Sequence, residues 1–170
     1  MRAWRGWSRA NGFPLADTVD LDRLAAALRD SLARRAGPGN WIRLWDLGLL
    51  ALDRAGLTAR GVNVDSTVDA LAAAIRATGA VDRVDTPRSL AAADTSRDPT
   101  ARRWRNAVPA GLGAELMVTL EPKFVLGGTT SAEHGWPSDD DTHVPIVFYG
   151  PGIRAGIYPR RVSVVDIAPT

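Results

Sequence analysis

Two residue types are nearly missing from this 170-residue chain: it contains no cysteine and a single lysine, Lys123. The absence of cysteine excludes both a disulfide framework and a metal site built from thiolates. No stretch of apolar residues approaches the ~20 that a helix needs to cross a membrane, so the sequence predicts no membrane segment. Histidine is also scarce, with two copies, so a metal site that uses imidazole has few candidates in this chain.

Acidic and basic residues nearly cancel, with 21 Lys and Arg against 19 Asp and Glu and a formal net charge of +2. One short basic run surrounds Trp104, which is flanked by Arg102, Arg103 and Arg105. Such a run could face phosphate or nucleic acid, or it could belong to an amphipathic helix with one buried aromatic residue. The second interpretation is favoured, because no arginine cluster has aromatic residues interleaved on the same face. The sequence therefore carries no signal for nucleic-acid binding.

The apolar residues of the first half follow a helix–strand–helix–strand pattern. Leucines at helical spacing predict a surface helix over residues 20–35. Alternation predicts a strand over residues 41–45, and a second amphipathic helix is predicted over residues 65–77, followed by a short strand over residues 81–84. Residues 47–55 fit either a continuation of the first strand or a short helix. This order of elements indicates a small α/β unit.

The second half adds further helices and strands around one long loop. The strand predicted over residues 144–149 is continuously apolar, which predicts burial on both faces and therefore a sheet covered by helices. The predicted fold class is α/β, with a mixed, largely buried sheet flanked by helices and a small α/β insertion at about residues 40–110. The other predicted elements are helices over residues 86–93 and 98–106, strands over residues 115–120 and 162–167, and a polar, Gly-rich loop over residues 127–142.

Both histidines lie near the end of the chain, His134 directly before Gly135 and His143 directly before the apolar strand. A His-Gly turn that leads through a loop into a buried strand is suited to hold a metal ligand rigidly at the edge of a sheet. The three adjacent carboxylates of residues 139–141 could suggest calcium, but they cannot all converge on one ion without a suitable loop. A solvated turn is favoured for them, with Asp141 bonding locally.

The segment from residue 129 to residue 170 resembles the last metal-ligand motif of the alkaline phosphatase superfamily. The resemblance is to the branch that contains the zinc-dependent type I phosphodiesterase/nucleotide pyrophosphatases and the single-chain alkaline phosphatases. Residues 18–126 are similar to the preceding region of that family more loosely. The matching residues are His134-Gly135, Pro137, Asp141-Thr142-His143-Val144-Pro145, Phe148-Tyr149-Gly150-Pro151-Gly152, Gly156-Ile157-Tyr158 and residues 164–170.

The resemblance implies a metal-dependent hydrolase of phosphoric esters. In this superfamily two zinc ions assist a Thr or Ser nucleophile that forms a phospho-enzyme. His134 is then expected to be the last zinc ligand, and Glu133, Trp136, Asp141 and His143 are expected to lie beside it or in the pocket. For His143 a hydrogen bond between the loop and the sheet is favoured over metal binding, and Glu133 could instead face water. The family's motifs for the nucleophile and for the other ligands are missing here, so no catalytic residue is expected in this chain.

The chain is therefore expected to be the C-terminal portion of an alkaline-phosphatase-like catalytic domain, truncated at both ends and inactive by itself. The expected substrate is a small phosphate ester, and the resemblance implies a bacterial enzyme that is periplasmic or secreted. One alternative is a sulfatase-like or phosphoglycerate-mutase-like member of the same superfamily. The other is a non-catalytic α/β module that binds a partner.

Overall fold

Four antiparallel strands and the helices packed on them make up most of this structure, a computed structural model that describes residues 10, 17–19, 21–121, 124–126, 135–164 and 167. None of the helices in these ranges is both long enough and apolar enough to cross a membrane. The strands are β1 (Asp17–Val19), β2 (Ile42–Asp46), β3 (Leu49–Leu52), β4 (Val81–Asp85), β5 (Ala114–Leu120) and β6 (Phe124–Leu126). The helices are α1 (Leu21–Ala36), α2 (Arg54–Ala59), α3 (Val64–Arg76), α4 (Pro87–Ala92), α5 (Pro99–Ala107) and α6 (Asp139–Thr142).

The main sheet has the strand order β2, β3, β5, β4, and each strand is antiparallel to its neighbours. The strands β2 and β3 form a hairpin whose turn has a left-handed backbone at both Leu47 (φ 42°) and Gly48 (φ 77°). Positive φ at both central residues matches the right-handed twist of the two strands. The strands β1 and β6 form a separate parallel pair. In the main sheet, the strand β5 has a neighbour on each side, although it is the last of the four strands along the chain.

The larger core lies between one face of the main sheet and the helices α1 and α3. Asn63 caps α3 by accepting a hydrogen bond from the backbone N–H of Ser66 at 3.0 Å, which satisfies an amide of the first turn. The apolar residues of α3 recur every three or four positions, so they form one buried face. The buried residues of this core include Leu28, Leu32, Leu50, Val68, Leu71, Ile75, Leu116 and Val118.

A smaller core covers the other face, where α4 and α5 pack on β5. Met117 of β5 points to this side because side chains alternate along a strand, with Leu116 and Val118 facing the larger core. Both cores draw on β5, and all seven of its residues are buried. This arrangement confirms the predicted α/β fold with a largely buried sheet flanked by helices. The buried residues of the smaller core are Leu90, Ala101, Trp104, Ala114 and Met117.

The sequence predictions agree with the structure over most of the first 120 residues. Helices α1, α3, α4 and α5 and strands β2, β4 and β5 all correspond to predicted elements. Residues 47–55, for which a strand and a helix were both possible, contain the strand β3 and the start of the helix α2. Asp53 separates the two by accepting a hydrogen bond from the N–H of Gly56 at 3.0 Å, as a helix cap. The insertion at about residues 40–110 stays a prediction.

The prediction of a buried strand over residues 144–149 is wrong for this structure. These residues form no regular secondary structure, and the side chains of Val147 and Phe148 are 82% and 62% exposed. The strand predicted over residues 162–167 is likewise absent from the residues described there, and Val162 is exposed. Apolar composition favours burial, but a strand also needs a neighbour for its N–H and C=O groups. None of the described strands pairs with either segment.

Candidate functional site

The residues predicted to surround a metal lie next to or within the loop formed by residues 135–142. Gly135 has a φ of 108°, a left-handed conformation that residues with a side chain rarely adopt. Position 135 therefore strongly favours glycine, in agreement with the His-Gly turn that the sequence predicts. Of the predicted site residues, the structure describes Trp136, Asp141 and His143, whereas Glu133 and His134 lie outside the described residues.

Trp136 fixes the start of the 135–142 loop by packing against the turn between β2 and β3. Its side chain is 9% exposed. Gly48 leaves room for the indole, since a Cβ atom on Gly48 would lie 2.6 Å from Cζ3 of Trp136 and 2.4 Å from the backbone oxygen of Val118. Leu47 of the same turn lies beside Gly135, with Cδ1 3.6 Å from the place that a Cβ atom there would occupy. The turn and the loop are therefore complementary in shape.

The acidic end of the 135–142 loop bonds to the loop itself. Asp141 Oδ2 accepts a hydrogen bond from the backbone N–H of Trp136 at 2.7 Å. Ser138 caps the short helix α6, because its Oγ accepts from the N–H of Asp141 at 3.3 Å and its backbone oxygen accepts from Oγ1 of Thr142 at 2.7 Å. The run of aspartates thus forms a turn, with Asp141 bonding locally as the sequence predicts.

Arg103 on α5 connects the 135–142 loop to the helices on the sheet. Its Nη1 donates to the backbone oxygen of Pro137 at 2.9 Å, and its Nη2 donates to Oδ1 of Asp139. Arg161 contacts the same carboxylate oxygen at 3.3 Å. The hydrogen bond from Arg103, followed by the one from Arg161, holds the pKa of Asp139 below its usual value, so this group stays charged at neutral pH. Sequence reasoning missed this role, because residues 36 positions apart leave no local pattern.

The helix α5 is itself attached to the sheet at two points. Trp104 Nε1 donates to Oγ1 of Thr119 on β5 at 2.9 Å, and both side chains are buried. Asp98 begins the helix by accepting a hydrogen bond from the N–H of Ala101 at 2.9 Å. Arg83 on β4 donates to the other oxygen of Asp98 at 2.8 Å. The sheet therefore sets the position of α5, the helix whose Arg103 contacts the 135–142 loop.

We predict that the contribution of the Asp98 carboxylate to the free energy of unfolding depends on pH. The hydrogen bond from the Ala101 N–H, followed by the contact with Arg83, lowers the pKa of Asp98. A carboxyl group whose pKa is lower in the folded state contributes stability that is fully present above its unfolded pKa of about 3.9 and is lost as the pH falls through the folded value. We expect Asp98→Asn, which can still cap the helix, to lower the free energy of unfolding by about 1 kcal/mol at neutral pH.

Urea denaturation of both proteins at a series of pH values measures this difference. The difference is expected to shrink as the pH falls below the unfolded pKa, because Asp98 then becomes protonated in the wild-type protein. A difference that is constant from neutral to acidic pH would show that the carboxylate charge contributes nothing.

An open cleft of about 210 Å³ lies between the 135–142 loop and α5. Because Gly135 forms part of its wall, the cleft reaches the residue next to His134. Its volume is below the ~300 Å³ at which ligand pockets begin, so this space suits a small group rather than a whole ligand. His143 is exposed at the end of α6. The residues that line the cleft include Arg103, Trp104, Gly135, Trp136, Pro137 and Asp141.

The described residues do not by themselves make a metal site. They contain no group of three or more His, Cys, Asp or Glu side chains that could hold an ion, whereas catalytic zinc takes about three protein ligands. The carboxylate of Asp141 is engaged by a backbone N–H. The fit of this chain to zinc therefore depends on the imidazole of His134, a donor that suits zinc, and on the contacts that fix the residues after it. A zinc ion bound at this position would need further ligands from residues beyond the described ones.

The comparison with known proteins gives relatives in sequence but no match to a family model. The alkaline phosphatase PhoK of a Sphingomonas species is 27% identical over an alignment 186 positions long, which covers 95% of this chain and 31% of PhoK. A calcium-transporting ATPase of Myroides odoratus is 28% identical over 158 residues, which cover 89% of this chain and 28% of that protein. The chain thus spans about a third of the length of these relatives.

Solved structures of an alkaline phosphatase have the same fold. Wild-type PafA superimposes with a TM-score of 0.79 at 19% identity, over 97% of this chain and 31% of the PafA chain. A PafA mutant superimposes with a TM-score of 0.63 at 14% identity, over 80% of this chain and 25% of that chain. The superpositions establish the fold, and the alignment with PhoK adds similarity in sequence. The alignment with PhoK supports the relationship to the alkaline phosphatase superfamily that the motif after residue 129 indicated, and the shared fold agrees with it.

Proposed function

We propose that the protein carrying this sequence is a zinc-dependent hydrolase of phosphoric esters and that this chain supplies one metal ligand, His134. The observation that carries the proposal is the restraint on the residues directly after His134. Gly135 adopts a left-handed turn, Trp136 is buried, and the N–H of Trp136 is held by Asp141. A ligand benefits from such restraint, because a site that is already ordered loses less entropy on binding. The similarity to PhoK, an alkaline phosphatase, supports the same class of function.

Within this proposal the chain positions a ligand and does not attack the substrate. The proposed ligand is the imidazole of His134, the residue directly before the 135–142 loop in the sequence. Glu133 provides a neighbouring carboxylate, a group that often accepts a hydrogen bond from the second ring nitrogen of a metal-bound histidine. When bound, two zinc ions stabilise the charge that develops on a phosphate ester and lower the pKa of water. The Thr or Ser nucleophile that the resemblance implies lies outside this chain.

The finer part of the proposal concerns the branch of the superfamily and the substrate. The segment from residue 129 to residue 170 resembles the phosphodiesterase/nucleotide pyrophosphatase-like branch, and on that resemblance we propose a small phosphate mono- or diester as substrate. The sulfatase-like alternative predicts a different preference. Turnover of p-nitrophenyl phosphate, bis(p-nitrophenyl) phosphate and p-nitrophenyl sulfate by the same preparation distinguishes the three classes of ester.

Removal of the proposed ligand tests the function directly. We expect His134→Ala, made in the protein as its gene encodes it, to lower kcat/KM for p-nitrophenyl phosphate by roughly 100-fold or more. The reason is that even the partners of metal ligands typically contribute 10- to 100-fold, and a direct ligand contributes more. Zinc content, measured by mass spectrometry of the purified protein, is expected to fall in the same variant.

The matched control is Arg97→Ala, because the side chain of Arg97 is exposed and lies outside the cleft. This variant is expected to keep the wild-type turnover and zinc content. The 170-residue chain alone is expected to be inactive, since its nucleophile and most ligands are missing. Wild-type turnover and zinc content in His134→Ala would contradict the proposed function, whatever the substrate preference.

A further inference from the structure

We propose that residues 144–160 form a docking arm, which binds an apolar surface with exposed carboxylates in a part of the same polypeptide outside this chain. The proposal requires the protein to continue beyond this chain, but it does not depend on the metal or on the substrate. It therefore goes beyond the proposed function and is tested without it.

The arm starts and ends next to the same short helix. It begins just after α6, and it ends before Arg161, whose Nη2 contacts Oδ1 of Asp139 on α6 at 3.3 Å. Near its middle the backbone turns, and the N–H of Ile153 donates to the oxygen of Gly150 at 3.2 Å. The arm therefore has two limbs on either side of a turn, and its base is attached to α6.

Apolar side chains of both limbs are exposed to solvent. Tyr149 and Ile157 are almost completely exposed. Apolar side chains that are exposed together mark interaction sites in soluble proteins. Loops longer than about 12–15 residues without secondary structure are also uncommon and often serve in binding. The exposed apolar residues of the arm include Val144, Val147, Phe148, Tyr149, Ile157 and Tyr158.

The composition of the arm is typical of a binding surface rather than of a solvated loop. Aromatic residues and arginine are enriched in protein interfaces, whereas lysine, aspartate and glutamate are depleted. The arm contains no lysine, aspartate or glutamate, and its aromatic and basic residues are Phe148, Tyr149, Tyr158, Arg154 and Arg160. Both arginines are exposed. A complementary surface therefore has carboxylates around an apolar centre.

One limb of the arm is suited to pair with the edge of a sheet. Residues 146–149 are β-branched or aromatic, the residue types that favour strands. None of the described strands pairs with them. An extended segment of this kind binds by adding a strand to a sheet edge. Pro145 and Pro151 lie on either side of the run and restrict the backbone, which lowers the entropy lost on binding.

The comparison with PafA favours the same polypeptide as the source of the covering surface. The superposition on wild-type PafA covers 97% of this chain, so it includes most of the arm. It covers 31% of the PafA chain, so more than two thirds of that chain lies outside the matched part. Docking within one molecule also avoids the entropy lost when two molecules associate. The same polypeptide is therefore favoured over a second copy.

Hydrogen–deuterium exchange in the protein as its gene encodes it tests whether the arm is covered. The amides of residues 146–149 are compared with those of a synthetic peptide of residues 143–153. We expect exchange at least about tenfold slower in the protein, because hydrogen-bonded amides exchange only when the structure opens. Exchange as fast in the protein as in the peptide would overturn the proposal.

A charge placed in the arm is expected to remove this protection. Phe148→Asp puts a carboxylate into the apolar surface, where burial of a charge is costly, so exchange of residues 146–149 is expected to approach that of the peptide. The matched control is Asn106→Asp, which adds a carboxylate at an exposed position of α5 and is expected to keep the wild-type exchange. Wild-type protection in Phe148→Asp would show that the arm is not docked through its apolar side chains.

Photo-crosslinking identifies the covering surface and remains informative if Phe148→Asp fails to fold. Tyr149 is replaced by p-benzoylphenylalanine, and the same replacement at Arg97, whose side chain is 88% exposed, is the control. We expect position 149 to be joined to residues outside this chain within one polypeptide, with more product than from position 97. A crosslinked dimer would assign the arm to a second copy and overturn the proposal, as would a yield at position 149 no greater than at position 97. Neither readout involves zinc, so the result for His134→Ala decides the proposed function separately.

Discussion

Replacing Arg83 by methionine is expected to lower the free energy of unfolding by about 3 kcal/mol. Arg83 donates two hydrogen bonds to the carboxylate of Asp85, from Nε to Oδ2 at 2.6 Å and from Nη2 to Oδ1 at 2.7 Å. Asp85 is only 4% exposed. Methionine retains an apolar stem but leaves the Asp85 charge buried without its counter-ion, and burying an unpaired charge is costly. Urea denaturation at neutral pH measures the loss.

Two further variants show whether the effect comes from the buried charge. Arg97→Met removes an exposed arginine whose Nε lies 3.6 Å from Oδ2 of Asp94, and we expect a much smaller loss, because water screens this pair. Combining Arg83→Met with Asp85→Leu removes both charges and is expected to recover part of the lost stability. Equal stability of the Arg83→Met and Arg97→Met proteins would refute a stabilising role for the pair on β4.

Truncation of Trp104 is expected to have an effect of similar size, with a loss of about 4 kcal/mol in Trp104→Ala. The indole is 3% exposed and belongs to the smaller core, with Leu90 and Met117. Its removal leaves a cavity between α5 and β5. The hydroxyl of Thr119, itself buried, also loses the Nε1–H donor at 2.9 Å, which adds the cost of an unpaired buried polar group.

Trp104→Phe divides this loss into its two causes. Phenylalanine keeps most of the buried ring but cannot donate to Thr119, so a smaller loss of about 1–2 kcal/mol is expected. Thr119→Val in the same background removes the unpaired hydroxyl, and the two changes together are expected to cost less than the sum of each alone. A Trp104→Ala protein as stable as Trp104→Phe would show that the cavity is of no consequence.

The elements that could be predicted from the sequence are those whose determinants are local. The helix α3 has a cap at Asn63, a regular apolar face and a neighbouring glycine turn, all readable within a short window. The helix α5 begins at Asp98 and Pro99, which are typical of a helix start, and its buried Trp104 follows from amphipathic spacing. The turn at Gly135 and the local bond of Asp141 are likewise properties of adjacent residues.

The remaining features depend on residues that are distant in the chain. The contact of Arg103 with the 135–142 loop and the space that Gly48 provides for Trp136 exist only once the sheet has formed. Residues 144–149 illustrate the complementary case. Their apolar composition predicted burial, but composition does not specify which surface covers a segment, and in this structure those side chains are largely exposed.

The place of β5 in the sheet also limits where this chain can be cut without loss of the fold. It lies between β3 and β4, although it follows both along the chain. A gene rearrangement that ended at residue 110 would remove β2, β3 and β4 and leave β5 without either neighbour. Its backbone groups and its seven buried side chains would then be exposed to water. The strands β2, β3 and β4 and the strand β5 therefore form one structural block, and a piece of this chain that ends before β5 is expected to leave β3 and β4 without a shared neighbour.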